Sequence, residues 1–201
     1  MSRARIAVLV SGGGTNLQAL LDAERSGILH SGKIVLVVSN NPDACALQRA
    51  ANAGVETAVL TKKGCGSQEA FEQALAETLE QAGIDLIILA GFMSILGKAF
   101  TDRFPNRILN VHPSLIPSFC GEGFYGLRVH QAALDYGVKV TGATVHFVNE
   151  IPDGGKIIAQ KAVEILPGDT PEVLQKRVME QAEWILLPQA AEEVSAQLCK
   201  E

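Results

Sequence analysis

Apolar runs of strand length alternate along this chain with longer stretches of helical period, the signature of a parallel sheet built from βαβ units. The runs predict strands over 6–10, 34–38, 56–60, 85–89 and 108–111. Between them a 3.6-residue period predicts helices over 16–24, 44–53 and 68–82, with a short one over 96–102. Past residue 111 the pattern changes. Pro113 and Pro117 rule out both strand and helix, so a loop follows; then come a helix over 129–136 and strands over 143–148 and 157–163. The gap at 149–156 suits a loop that returns the second strand antiparallel. Thr170 can cap a last helix with Pro171 at its first position, running to about 187, where Pro188 kinks or restarts it. No repeat, low-complexity tract or linker interrupts the pattern, which predicts one domain over 1–201.

Composition narrows the classes. A net charge of −5 with scattered Lys and Arg provides no basic patch to release counterions from phosphates, which argues against nucleic acid. Cys45, Cys65, Cys120 and Cys199 lie far apart with no CxxC pair, so neither a disulfide framework nor a zinc knuckle is expected. The first apolar run, 6–10, is too short for a signal segment or a membrane span. A cytoplasmic protein with no membrane partner is the expectation.

Candidate chemistry gathers in residues 107–121, RILNVHPSLIPSFCG. Side chains alternate along a strand, so Asn110 and His112 point the same way and Val111 the other. An amide donor beside a titratable ring is what acyl-type transfer requires: the amide can hold a developing oxyanion and the imidazole can move a proton near neutral pH. His112 could equally cap the strand and bond the proline loop. The turn Ser11-Gly12-Gly13-Gly14-Thr15-Asn16 joins a buried strand to a helix and presents backbone N–H groups at a helix N-terminus, an anion site or else a tight turn without a ligand. It is not a P-loop, since no Gly-Lys-Ser/Thr follows, and Leu17 stands where a dinucleotide fingerprint has its third glycine. Residues 89–96, LAGFMSIL, leave a strand with Phe92, Met93 and Ile95 still apolar, suited either to a flat aromatic ligand or to the core. In 144–155, Asp153 precedes two glycines in a tight turn that can aim a carboxylate inward, where it would raise the pKa of a facing His112. His146, between Val145 and Phe147, reads as a structural histidine, and His30 and His130 as surface residues.

The motifs SGGGTNLQALLDA, LAGFMSIL, ILNVHPSLIPSF, GATVHFVNEIPDGG and RVMEQAEWILLP, in that order, resemble the phosphoribosylglycinamide formyltransferase family, the folate-dependent formyltransferases of purine synthesis. The resemblance implies an α/β fold, an open three-layer αβα sheet of Rossmann-like formyltransferase type, mostly parallel, with an antiparallel return near the C-terminus and a long C-terminal helix. It implies a phosphate-binding half over 1–105 and a catalytic and folate-binding half over 106–201. Gly13, Gly14, Thr15 and Asn16 would then hold the phosphate of glycinamide ribonucleotide, with Glu180 and Glu183 near its ribose or glycinamide end. Gln68, Met93, Ser94, Ile95 and Leu96, with Asn110 and Asn149, Glu150, Ile151, Pro152 and Asp153, would enclose 10-formyltetrahydrofolate. Asn110, His112 and Asp153 would be the catalytic trio. No metal is implied, and the chain would act as a monomer or homodimer.

Four features depart from the family pattern. Ser94 stands in place of an arginine and Gln68 in place of a basic residue, which implies a weaker grip on the acidic folate tail. Lys156 stands in place of a proline, which implies a looser Asp153 loop, and the stretch 118–129 is longer than in many relatives. Two other classes remain open. A formyltetrahydrofolate hydrolase would use the same trio on water but carries an extra regulatory domain; a non-catalytic phosphosugar-binding module would need only the glycine loop. Methionyl-tRNA formyltransferase requires a tRNA-binding domain and basic surface, neither of which is expected here.

Overall fold

A computed structural model describes residues 3–200. Seven strands form one sheet in the order β3-β2-β1-β4-β5-β6-β7: β1 Ala4–Val10, β2 Gly32–Ser39, β3 Glu56–Val59, β4 Leu86–Leu89, β5 Ile108–His112, β6 Val140–Phe147 and β7 Ile157–Glu164. The pairs from β3 through β5 are parallel; β6 runs antiparallel to β5, and β7 antiparallel to β6. Helices flank the sheet: α1 Thr15–Ser26, α2 Cys45–Asn52, α3 Lys62–Cys65, α4 Gln68–Gln81, α5 Lys98–Thr101, α6 Leu127–Tyr136, α7 Pro171–Val178 and α8 Trp184–Leu198.

Because both faces of the parallel part are covered, its strands are apolar almost throughout, and their alternate residues feed two cores. Ile6, Val8 and Val10 pack with Leu17 and Leu20 of α1 and Leu187 and Ala191 of α8. Ala7 and Leu9 pack on the other face with Phe71 and Leu75 of α4 and Phe100 of α5. The second face continues along β5 as Ile108, then Asn110 and His112. Beyond β5 the chain passes through a long loop and α6 before β6, which a short hairpin joins to β7, and among the described residues no helix packs into the second core over that part of the face. Loops cover it instead, and a cavity opens beneath them.

Several boundaries differ from the sequence pattern. β6 begins at Val140 rather than 143 because its first residues pair with the far end of β7, Val140 opposite Glu164. The short α3 lies in a stretch without helical period and is started by Thr61, whose side chain accepts from the Gly64 N–H. The last helix is long, as expected, but its irregularity lies ahead of the proline: α7 continues through a π-helical turn, Met179–Glu183, into α8, with Pro188 inside it. A π turn is wider than an α turn, which gives the proline ring room against the preceding carbonyls.

Candidate active site

A cavity of about 740 Å³ lies where β1, β4 and β5 end. Asn16 lines it from the first turn of α1, Gly91 to Ile95 from the loop after β4, and Asn110 to Pro113 from the end of β5. The loop 121–126 and Pro152 with Asp153 close two further sides, and Gln175, Met179 and Glu183 reach in from the last helix.

Asn110, His112 and Asp153 converge on it. Asp153 is a non-glycine residue at φ 55, a strained conformation that turns its carboxylate back over β5. Its Oδ2 accepts from the Gly121 N–H at 2.9 Å and lies 3.4 Å from His112 Nδ1, while Oδ1 accepts from Asn110 Nδ2 at 3.4 Å. Two glycines after Asp153 are required by the path: a Cβ on Gly155 would run into the Phe147 carbonyl. The other nitrogen of His112, Nε2, donates to the Phe119 carbonyl at 2.9 Å. Loop 113–126 is therefore tied to both His112 and Asp153 by main-chain groups.

His146 is the residue whose role the sequence pattern concealed. It sits opposite Asn110 in the antiparallel β5–β6 register, so both side chains share one face. Its Nε2 lies 3.1 Å from Asn110 Nδ2 and 3.5 Å from Asp153 Oδ1, and its Nδ1 is 2.8 Å from the Phe147 carbonyl. His130, read from sequence as a surface residue, is 1% exposed on the inner face of α6, and neither ring nitrogen has a hydrogen-bond partner. The signal was present as a polar residue in phase with Val129 and Ala133, both buried.

Burial sets the direction of the titrations. It lowers the His112 pKa, although the Asp153 carboxylate and the Phe119 carbonyl oppose it, so the raised value expected from the carboxylate alone does not hold. Asp153 is pushed up by burial, but the neighbouring His146 ring, the His112 charge and the Gly121 N–H outweigh this and hold it below the usual carboxylate range. Burial takes His130 down to about 4. It also raises the Cys120 thiol, with Asp153 adding to the effect, which keeps that sulfur protonated and a poor nucleophile.

The other candidate residues divide. Met93, Ser94 and Ile95 line the cavity, with Met93 59% and Ile95 65% exposed. Leu96 does not, because it packs into the core with Phe71 and Phe100. Ser94 accepts from Asn40 Nδ2 at 2.8 Å, and the Met93 N–H donates to Ser11 Oγ at 2.8 Å, so two preceding βα turns hold the 91–96 loop. Gln68 lies apart, in a cavity of about 510 Å³ with Lys62, Glu72 and Gly97, which also borders Met93 to Ile95. Its Nε2 donates to Glu72 at 2.7 Å and to the Ile95 carbonyl at 3.1 Å. Of the 149–153 loop only Pro152 and Asp153 line the main cavity; Glu150 and Ile151 are exposed, and the Asn149 side chain accepts from the Ile151 N–H, shaping the turn.

In the glycine loop, Gly14 caps α1 at φ 73 with no side-chain cap on the helix N-terminus. The Gly13 carbonyl accepts from Arg49 Nε at 2.8 Å, and Thr15 Oγ1 contacts Met179 Sδ at 3.9 Å. Asn16 alone of the four loop candidates lines the cavity. Its Nδ2 donates to Glu183 Oε2 at 2.8 Å, while its Oδ1 is buried without a partner. Glu183 is 6% exposed and burial raises its pKa, with the Asn16 bond opposing. Glu180 points away from the cavity and lies 3.8 Å from Lys176. Met179 and Glu183, four residues apart, share the helix face that looks onto the cavity, and Glu180 falls outside it. Among the described residues no group of three or more His, Cys, Asp or Glu could hold a metal.

A family model described as formyl transferase matches residues 4–190. Phosphoribosylglycinamide formyltransferase of Haemophilus influenzae is 44% identical over 177 residues, covering 88% of this chain and 81% of that protein. The trifunctional purine biosynthetic protein adenosine-3 of Bos taurus is 44% identical over 196 residues, 96% of this chain, and the chain spans 18% of that protein's length. Among solved structures, glycinamide ribonucleotide transformylase 1 from Symbiobacterium toebii matches with a TM-score of 0.91 at 44% identity, covering 97% of this chain and 89% of that one.

Proposed function

Since the chain belongs to the formyl transferase family, we propose that it transfers the formyl group of 10-formyltetrahydrofolate to the amine of glycinamide ribonucleotide, a step of purine biosynthesis. The observation that carries this reading is the convergence of Asn110, His112 and Asp153 on one cavity. The apolar rim at Phe92, Met93 and Ile95 suits a flat pterin, and the uncapped start of α1 beyond Gly13 and Gly14 suits a phosphate.

In this reading the substrate amine attacks the formyl carbon, and the carbonyl electron pair moves to oxygen. Asn110 and protonated His112 stabilise that oxyanion; Asp153 balances the imidazolium and helps a proton pass from the new ammonium to N10 of the folate. Collapse of the oxyanion breaks the carbon–N10 bond, leaving formylated amide and tetrahydrofolate. Both donors are held by the protein before substrate arrives, His112 Nε2 by Phe119 and Asn110 Nδ2 by His146 and Asp153. Substrate must displace the first, so loop 113–126 has to yield.

Both the 1–105 and the 106–201 segments would contribute to the two substrates' sites, in a cytoplasmic monomer or homodimer without nucleic-acid or membrane partners. Among the described residues no helix is long and apolar enough to cross a membrane. Formyl transfer measured with and without glycinamide ribonucleotide tests the proposal. Tetrahydrofolate should form only with the amine present; formate released without it would mean a hydrolase.

A further inference from the structure

We infer that His146 is a positioning residue that decides which end of the Asn110 amide faces the cavity. The inference rests on the formyl-transfer reading for its consequence, and on hydrogen-bond chemistry for its content. A carbonyl oxygen can only accept, so the 2.8 Å contact between His146 Nδ1 and the Phe147 carbonyl places a proton on Nδ1. In the neutral ring Nε2 is then a bare acceptor. The group 3.1 Å from it must donate, and that group is Asn110 Nδ2. The second N–H of the same amide points to Asp153 Oδ1 at 3.4 Å. With both N–H groups turned inward, the end of the amide left for the cavity that Asn110 lines is Oδ1, an acceptor.

An acceptor cannot stabilise an oxyanion; it can only orient an N–H of an incoming amine. Protonation of His146 reverses the arrangement. Nε2 then carries a hydrogen that it can share between the nearer Asn110 amide oxygen and Asp153 Oδ1, 3.5 Å away, and it no longer accepts from Asn110. The amide gains by rotating so that Oδ1 faces the imidazolium and Nδ2 faces the cavity, as the transition state requires. The charged or titratable groups around the ring are Asp153 of the 148–156 loop and His112 of β5; β7 meets it with Ile157, which carries no charge. One carboxylate thus serves two histidines, and a proton on either ring is balanced by the same charge.

The test uses the full chain with 15N-labelled histidine. Long-range 1H–15N spectra at alkaline pH should show His146 as the Nδ1–H tautomer, with a midpoint obtained by titration. With saturating substrates, kcat should fall about 10²-fold as pH rises through that midpoint, the loss expected for one oxyanion donor, while KM changes little. In His146→Gln, whose amide can offer either atom at every pH, that step should vanish, leaving only the one set by His112. A His146→Leu variant controls for packing and should lose kcat at every pH. The inference is overturned if neutral His146 carries its proton on Nε2, or if the step stays at the same pH in the glutamine variant. Should the glutamine variant not fold, the tautomer of the unmodified protein decides by itself. Absence of amine-dependent transfer at all pH values, with the Nδ1–H tautomer observed, would instead reject the functional reading and leave the tautomer assignment standing.

Discussion

Asp153 shows how much one residue can be asked to do. Its carboxylate takes the Gly121 N–H and faces two imidazoles, from a backbone conformation that most side chains avoid. Asp153→Asn retains the shape and removes the charge that opposes burial at His112. The His112 pKa, already depressed, should drop further, so that its acid form is lost at lower pH. Formyl transfer should fall by about 10²–10⁴, the range of acid–base groups, and an NMR titration of His112 that did not move would reject this assignment. His130 makes a separate prediction about stability. The folded protein protonates it only near 4, whereas the unfolded chain takes up that proton near the ordinary 6.5. Below 6.5 the unfolded state binds the extra proton, so stability falls as pH drops from 6.5 toward 4, by about 2 to 3 kcal/mol at most. Urea midpoints compared at pH 7 and 4.5 should separate less in His130→Leu than in the parent. Asn110, His112 and Asp153 were legible because strand alternation and turn chemistry are local. His146 was not, since only the pairing of β5 with β6 shows that Asn110 lies opposite.

At the level of elements, the glycine loop has a packing role that the sequence pattern did not suggest. Gly14 caps α1 at φ 73, and a Cβ there would come within 2.6 Å of the Ala46 Cβ on α2. The glycine is required by the approach of two helices, whatever the loop binds. Gly14→Ala should therefore destabilise the fold by about 2 kcal/mol, from backbone strain and overpacking together. Chemical denaturation would measure this, and a midpoint equal to that of the parent would show that the helices move apart freely. Helical period located α1, α2 and α4 to within a few residues. It also gave the long last helix with an irregularity, but not the π turn at Met179–Glu183, which leaves no mark in a 3.6-residue pattern.

For the whole molecule, the alternation of apolar runs and helical stretches was sufficient to expect a parallel sheet, and the 149–156 gap to expect an antiparallel return. Strand order was not legible, because it depends on which connections cross the sheet. That order creates the site: chain reversal at β5–β6 removes the helix that would otherwise cover Asn110 and His112. The cavity is closed by parts of the chain that are remote in sequence. The Asn16–Glu183 hydrogen bond joins residues 167 positions apart, linking the first turn after β1 to the last helix. Contacts of such long separation require the intervening chain to be ordered first, since loop closure must be compensated by what it brings together. The wall from the last helix is therefore the part of the cavity that forms from the chain's latest residues. Asn110 and His112 on β5 thus come before the wall in the chain, and the cavity is enclosed only when the last helix, from Pro171 to Leu198, docks.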